Sequence, residues 1–292
     1  MTLIRDEWTD PDLACDIHHT LKAKEKQLAA FNCNSPQIGL RRFLVDWLAI
    51  ISEKYDISAY TLHLAIYCMD RFMDKYDIKE ATLHLVALSC LVIATKYEEK
   101  EEKVMSLCNF NSCAYESDKK SDYLKMEILL LEFFSWKISI PTAVHFMDYY
   151  ITDAVCDRDL HAGQPLTSLS DAVTYMKKYT KYFLDISLQD HVFSSCMPSL
   201  VAASCIAASR VCLKLTPTWT TKLRKLTKYS WEHIAPLIET MLIAHEVDEK
   251  AAETSSDHST AKVVLLPTTP ANASTVGTWH DMIKPDSINR KS

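Results

Sequence analysis

The amino-acid sequence predicts an all-α protein built from two similar helical units. Glycine is scarce: the 292 residues contain three, whereas average usage of roughly 7% would give about twenty. Because primed hairpin turns and phosphate-binding loops both need glycine, few of either are expected. Apolar residues recur at helical spacing, and three motifs occur twice in the same order. Together these observations favour helices over strands.

The composition is that of a globular protein able to bury a sizeable core. Hydrophobic residues make up 48% of the chain and charged residues 24%. The net charge of −6 gives no support for a nucleic-acid or anionic-membrane surface, and charges break every apolar run before about 18 residues, so no membrane span is expected. The ten cysteines contain no C-x-x-C pair and no charged, apolar leader opens the chain. We therefore expect an intracellular protein with reduced thiols, no metal and no cofactor.

Residues 1–31 are predicted to form an N-terminal helix and the start of a linker. Asp10 or Asp12 can cap this helix, with Pro11 in its first turn. Its narrow apolar stripe consists of Leu13, Ile17, Leu21 and Leu28. Such a stripe suits packing on a larger body better than independent folding. The Asn, Ser, Pro and Gly content of residues 32–39 indicates a connection to the next unit.

Five helices are predicted in the first unit, residues 32–138. They cover residues 40–51, 58–75, about 79–97, about 104–109 and 121–134. The second begins at Ser58, a favourable cap. The third, LHLVALSCLVIATKY, is apolar nearly all round, so we expect the other helices to enclose it.

A second unit, residues 139–248, repeats the first. LVDWL at 44–48 recurs as FMDYY at 146–150, and LVALSCL at 85–91 recurs as LVAASCI at 200–206. YLKMEILLLEF is matched in the same order by WEHIAPLIETML at 231–242. Pro141 marks the start of the new unit. Residues 249–292, rich in Ser, Thr, Ala and Pro without periodicity, are expected to form a disordered tail.

Four stretches in this order resemble the cyclin family: LRRFLVDWL, LHLAIYCMDRFMDKY, LHLVALSCLVIATKYEEK and YLKMEILLLEFFSWKI. The resemblance covers roughly residues 10–245. Within the family, SPQIGLRRF, EEKEEKV and LTPTWTTKLRKLTKYSW are most similar to the cyclin J branch. It implies two tandem five-helix cyclin folds preceded by an N-terminal helix. It also implies a role as activating subunit of a cyclin-dependent kinase, in the nucleus or cytoplasm with the nucleus favoured.

The resemblance places Lys96 and Glu127 against the kinase. The corresponding pair of the family faces the kinase αC helix, and Tyr97, Leu131 and Trp136 match positions that pack on the kinase. From the residues alone, Lys96 is also explained as a cation complementing a helix C-terminus, and Glu127 as a solvated edge. Leu131 and Trp136 could equally complete the first core.

The resemblance also implies a possible docking patch for Arg-x-Leu peptides of substrates. Its counterparts are Leu40, Phe43, Leu44, Trp47, Leu83 and His84. However, Ile50 stands where the family has an acidic residue that meets the peptide arginine, and His84 replaces a glutamine. We therefore expect no binding of a simple Arg-x-Leu peptide, with a less basic peptide as the alternative.

Other polar residues are assigned structural roles. The resemblance implies a buried ion pair between Arg41 and Asp70 that fastens the first predicted helix to the second. The charged run YEEKEEK at 97–103 is interpreted as solvent-exposed. No catalytic motif can be assembled, so we expect no enzyme. The alternatives are a cyclin-fold scaffold and a transcription-associated binding protein that activates no kinase.

Overall fold

A computed structural model describes residues 10–104 and 119–255. The helices of the first unit lie close to their predicted positions. They are α2 (Arg41–Lys54), α3 (Ala59–Lys75), α4 (Leu83–Glu98) and α5 (Lys120–Phe133). Ser58 caps α3 as predicted, because its side chain accepts from the Thr61 amide. The helix predicted near 104–109 falls outside the described residues, except for Val104, which is not helical.

Helix α4 is the central helix of the first unit, as its apolar sequence predicts. It packs against α2, α3 and α5, and every residue from Leu85 to Thr95 is buried. By length and composition, Glu80–Glu98 could cross a membrane, but 67% of that stretch is buried inside the protein. Burial among neighbouring helices is the environment that an all-round apolar helix requires.

The second unit follows the same order of helices. It contains α6 (Ala143–Tyr150), α7 (Leu169–Gln189), α8 (His191–Ser194), α9 (Pro198–Cys212), α10 (Thr221–Thr227) and α11 (Trp231–Ser255). The repeated motifs fall on α2 and α6, on α4 and α9, and on α5 and α11. Helix α9 is the buried counterpart of α4. Helix α11 continues to Ser255, so the helical part extends beyond residue 248, where the sequence analysis places the start of the tail.

A small antiparallel sheet accompanies these helices. Its strands β1 (Leu160–His161), β2 (Gln164–Pro165) and β3 (Leu215–Thr216) lie in the order β2-β1-β3. Ala162 and Gly163 connect β1 to β2 with φ values of 50° and 81°, as a primed hairpin turn requires. Gly163, one of the three glycines of the chain, thus lies in a primed hairpin turn, the kind of turn for which the sequence offers few glycines.

Helix α1 (Pro11–Glu25) packs on the second unit, against α6 and α9. Asp10 caps it, accepting from the amides of Asp12 at 3.0 Å and Leu13 at 3.3 Å. The predicted apolar stripe is wrong in part, because Leu13 is exposed, whereas Ala14, His18 and Glu25 are buried and Leu21 is partly buried.

Two polar anchors explain this orientation of α1. His18 Nε2 lies 3.1 Å from the Tyr150 hydroxyl. The Glu25 carboxylate accepts from the Ser199 amide at 3.1 Å and from the Ser199 hydroxyl at 2.8 Å, at the first turn of α9. Burial and the nearby Lys22 charge lower the pKa of His18 to about 4. The neutral imidazole is therefore the form that fits this site at neutral pH.

Candidate partner-binding surface

The buried ion pair between Arg41 and Asp70 joins α2 to α3, as the family resemblance implies. Arg41 Nε donates to Asp70 Oδ1 at 2.7 Å and Nη2 donates to Oδ2 at 2.9 Å, with the side chains 2% and 3% exposed. The guanidinium also reaches the second unit. It donates to the carbonyl oxygens of Leu188 and Gln189 at the end of α7, and to the Ser194 hydroxyl. Arg41 therefore connects the two units.

The neighbouring arginine has a different environment. Arg42 pairs with Asp46 one helical turn later, at 3.1 Å, with the arginine side chain 57% exposed. This pair lies on the solvent side of α2. The two adjacent arginines of the RRF sequence are thus one buried connector and one surface residue.

The six residues of the possible substrate-docking patch differ in how much of each side chain is exposed to solvent. Phe43 is 65% exposed, whereas Leu40, Trp47 and His84 are partly buried. Leu44 and Leu83 belong to the first core, where they are buried and not free to contact a peptide. Ile50 is as exposed as Phe43. The surface part of the patch is thus apolar, and the nearby Arg42 and Asp46 on α2 pair with each other.

Lys96 and Glu127 form an ion pair at the edge of the first unit. Lys96 Nζ lies 2.5 Å from Glu127 Oε1, which links the last turn of α4 to the middle of α5. The lysine side chain is 47% exposed and the glutamate side chain 12%. Because Lys96 carries three N–H donors, Glu127 leaves donors of the exposed ammonium group available to a partner.

Tyr97 follows Lys96 in sequence, and Leu131 lies one helical turn after Glu127 on α5. Tyr97 is exposed, and Trp136 is 67% exposed just after α5, where Ser135 and Trp136 have φ values of 49° and 60°. Left-handed backbone is uncommon for such residues. Leu131 packs against the first core and is only partly buried. Three of the five predicted kinase-binding residues, Lys96, Tyr97 and Trp136, are therefore exposed, whereas Leu131 and Glu127 are partly buried.

Sequence reasoning missed further apolar residues on α5. Leu124 and Ile128 are exposed, and with Glu127 and Leu131 they follow the i, i+3, i+4, i+7 spacing of one helix face. Leu129 is exposed on another side. The signal was present in the run EILLLEF, in which more leucines and isoleucines occur than one buried face can hold.

The charged run at 97–103 is not uniformly solvent-exposed. Glu99 accepts from the Ser58 amide and from the Thr61 hydroxyl, each at 2.7 Å, and so caps the N-terminus of α3. The Glu98 side chain is nearly buried, 3.6 Å from His145 Nε2 on α6. The interpretation as a solvated run is therefore wrong for these two glutamates, since both make contacts distant in sequence.

A second buried ion pair, which sequence analysis did not predict, lies in the second unit. Arg210 on α9 donates to both carboxylate oxygens of Asp159, at 2.8 and 2.9 Å. It also donates to the carbonyl oxygens of Ala154, Pro217 and Thr218. The Arg210 cation contributes to lowering the pKa of Asp159, opposing the effect of burial. Among the described residues, each unit thus contains a buried arginine that donates to both oxygens of an aspartate.

Both units match models of one protein family. The model described as Cyclin, N-terminal domain, matches residues 16–139, and that described as Cyclin, C-terminal domain, matches residues 141–264. The two matches span nearly the whole helical part, and the chain belongs to the cyclin family. Family membership supports a regulatory role rather than a catalytic one.

Curated relatives place the chain near the cyclin J branch. Cyclin-J of Xenopus laevis is 45% identical over 272 residues, covering 90% of this chain and 71% of that protein. Human cyclin-J is 44% identical, with coverages of 85% and 65%. Cyclin-J-like protein of Mus musculus is 39% identical, with coverages of 91% and 70%. The similarity to cyclin J indicated by the sequence motifs is confirmed, and the chain spans about two thirds of these relatives' length.

A solved structure confirms the predicted fold. A viral cyclin from herpesvirus saimiri superimposes with a TM-score of 0.60, covering 77% of this chain and 96% of that chain at 16% identity. The prediction of two tandem cyclin folds is therefore correct.

Proposed function

We propose that this chain is the activating subunit of a cyclin-dependent kinase. The supporting observations are the ion pair between the half-exposed Lys96 and Glu127, the exposed aromatic side chains of Tyr97 and Trp136, and the partly buried Leu131. Aromatic side chains are typical anchors of protein interfaces, and charged groups at their edge orient the partner. The kinase αC helix is the proposed occupant of this surface.

The proposed mechanism requires no chemistry from this chain. A protein kinase needs its β3 lysine paired with the αC glutamate before the phosphates of ATP are correctly held. A protein that binds the inward position of αC more tightly than the outward one shifts the kinase toward its active state. The size of that shift is limited by the difference in affinity between the two states.

Each part of the surface has a defined role in this proposal. The exposed donors of Lys96 bind carbonyl or carboxylate oxygens at the end of αC, while Glu127 accepts from a donor there. Trp136 and Tyr97 are buried on binding, together with Leu124 and Ile128. Truncating one member of a charged set that becomes desolvated in a complex costs about 2–5 kcal/mol of binding free energy.

Charge reversal tests the proposal. The variant Lys96→Glu should lose capture of cyclin-dependent kinases from a cell extract, whereas the matched control Lys79→Glu, also at an exposed lysine, should retain it. The swapped variant Lys96→Glu/Glu127→Lys preserves an internal ion pair but reverses its direction. If the ion pair only stabilises the fold, the swapped variant will capture kinases again. If a kinase contacts each charge directly, the swapped variant will still fail to capture kinases.

Kinase assays separate this function from the alternative of a cyclin-fold scaffold or transcription-associated binding protein. A captured kinase should phosphorylate a test substrate faster with the chain than without it. Binding without any increase in phosphorylation would favour the scaffold. Lack of binding to any cyclin-dependent kinase would contradict the main proposal.

The apolar surface of Phe43, Trp47 and Ile50 is a second candidate site, for substrate peptides. Because the exposed Ile50 stands where the family has the acidic residue that meets the peptide arginine, we expect no saturable binding of an Arg-x-Leu peptide in a fluorescence titration. A peptide without the arginine is the alternative ligand. Binding of the arginine peptide at micromolar concentration would refute this expectation.

We also propose that the protein acts in the nucleus rather than only in the cytoplasm, as the family resemblance suggests. Imaging of a fluorescent fusion of the whole protein tests this, and exclusion from the nucleus throughout the cell cycle would contradict it.

A further inference from the structure

A cleft separates the linker after α1 from the first unit. Its volume is about 560 Å³, within the range of ligand-binding clefts. The extended segment 27–34 forms one side, and α3 and the end of α5 form the other. Its side chains include Tyr67, Arg71, Lys75, Phe133, Phe134 and Lys137. The side formed by α3 and the end of α5 therefore carries both aromatic and cationic side chains.

Arg71 is a buried cation with unused donors. It is 9% exposed, and its guanidinium lies between the rings of Phe31 and Tyr67, at 5.2 and 4.8 Å. Nη2 donates to the Ser194 carbonyl oxygen at 3.1 Å. Nε and Nη1 have no hydrogen-bond partner among the described residues. Stacking holds the guanidinium in place but does not neutralise its charge.

The neighbouring carboxylates are already engaged by other donors. Asp70 pairs with Arg41 through both oxygens. Asp74, which lines the cleft, accepts from the amides of Asn32 at 2.9 Å and Asn34 at 2.6 Å. Within residues 10–104 and 119–255, Arg71 forms no ion pair with either carboxylate. A buried charge without a counter-ion is costly, and an anion brought into the cleft would reduce that cost.

Two exposed lysines extend the positive charge to the mouth of the cleft. Lys75 and Lys137 both line it and are exposed, and in the described part of the chain neither pairs with a carboxylate. The cleft is thus lined by three cations, Arg71, Lys75 and Lys137, and by one carboxylate, Asp74. Asp74 already accepts hydrogen bonds from backbone amides of the linker. The apolar wall of Phe133 and Phe134 lies in the same cleft, so a ligand with both charged and apolar parts is complementary to it.

We propose that this cleft binds a short acidic segment of a partner protein. A carboxylate or phosphate group of that segment lies near Arg71, Lys75 and Lys137, and an adjacent apolar side chain packs on Phe133 and Phe134. The volume holds several side chains, and charge complementarity selects an acidic over a basic segment. Neither Lys96 nor Glu127 lines the cleft, so the proposal does not rest on the proposed kinase binding.

Fluorescence anisotropy with labelled peptides tests the proposal on the full chain. The probes are the phosphopeptide GLE(pS)ELG, its uncharged counterpart GLQSQLG, and inorganic phosphate as a competitor. We expect saturable binding of the phosphopeptide that weakens with added salt, and no binding of the uncharged one. The variant Lys75→Gln/Lys137→Gln should bind the phosphopeptide about fivefold more weakly, as expected for two exposed charge contacts.

The matched control changes two lysines outside the cleft. Lys177→Gln/Lys178→Gln, at exposed positions of α7, removes the same charge and should leave binding unchanged. Equal weakening in both double variants would overturn the proposal, since a general charge effect would explain it. So would equal binding of GLQSQLG, absence of saturable binding, or binding of inorganic phosphate as tight as that of the phosphopeptide. All four substituted lysines are exposed, so a folding defect should not obscure the result.

Discussion

Replacing Arg41 by alanine should destabilise the protein far more than replacing its neighbour Arg42. Arg41 is 2% exposed and holds both oxygens of Asp70, so its removal leaves a buried carboxylate with the Ser194 hydroxyl as its remaining partner. Breaking a buried ion pair in this way costs about 3–5 kcal/mol. For a chain of this size, that corresponds to a fall of about 6–20 °C in Tm.

The Arg42→Ala variant is the matched control. It removes the same side chain one position along α2, but from an exposed i,i+4 pair with Asp46, which is worth about 0.3–0.5 kcal/mol. Urea unfolding of the two variants, followed by circular dichroism, measures the difference directly. If the two free energies of unfolding agreed within about 0.5 kcal/mol, the reasoning from burial would be refuted.

A double variant tests whether Arg41 and Asp70 act as a pair. Arg41→Ala/Asp70→Ala removes the charge that the single variant leaves buried, so its loss of stability should be smaller than the sum of the two single losses. A residual loss is expected, because the carbonyl oxygens of Leu188 and Gln189 also lose a donor. Simple additivity would show that the two side chains do not interact energetically.

Three further predictions concern other polar contacts. Arg210→Met should cost about 3–5 kcal/mol of unfolding free energy, because Asp159 would remain buried and unpaired; a loss below about 1 kcal/mol in urea unfolding would contradict this. His18 has a pKa lowered from 6.5 to about 4, so its contribution to stability is present above pH 6.5 and is lost as the pH falls toward 4. His18→Gln should therefore lose less Tm between pH 7 and pH 5 than the parent, and equal losses would exclude this histidine as a cause. Glu99→Ala leaves the Ser58 amide without its acceptor and should cost about 1–3 kcal/mol, measured by thermal unfolding and contradicted by an unchanged Tm.

Local patterns predicted the helices well. Ser58 begins α3, and the apolar run of LHLVALSCLVIATKY correctly indicates a helix enclosed on all sides. Both features act within one or two helical turns, so they can be read from adjacent residues. The three motif pairs likewise predicted the repeat, because each falls on equivalent helices of the two units.

Long-range polar contacts could not be predicted in the same way. The orientation of α1 depends on Tyr150 and Ser199, which lie 132 and 174 positions from their partners His18 and Glu25. Periodicity identifies an apolar stripe as the face that packs on the protein. In α1, the polar contacts of His18 and Glu25 instead turn the face that carries Ala14 toward the second unit. The carbonyl oxygens that Arg41 reaches at the end of α7 carry no side-chain signature, because any residue supplies the same backbone acceptor.

The candidate surface was predicted only in part, for a related reason. Family resemblance selected Lys96 and Glu127, but exposure decides which apolar neighbours can contact a partner. Leu44 and Leu83 are buried in the core, whereas Leu124 and Ile128 face outward. All four side chains are aliphatic, so the sequence does not distinguish them. Tertiary packing alone decides which are buried and which are exposed.

The last turn of α4 places strict limits on insertions and deletions. This turn and the residue after it contact three different elements: Lys96 contacts α5, Glu98 contacts α6, and Glu99, which caps the helix, contacts the start of α3. Successive helical residues are about 100° apart around the axis, so adding or deleting one residue upstream in α4 would rotate all three side chains away from their partners together. Substitutions can sever these contacts one at a time, whereas a single-codon insertion or deletion would sever all of them in one event.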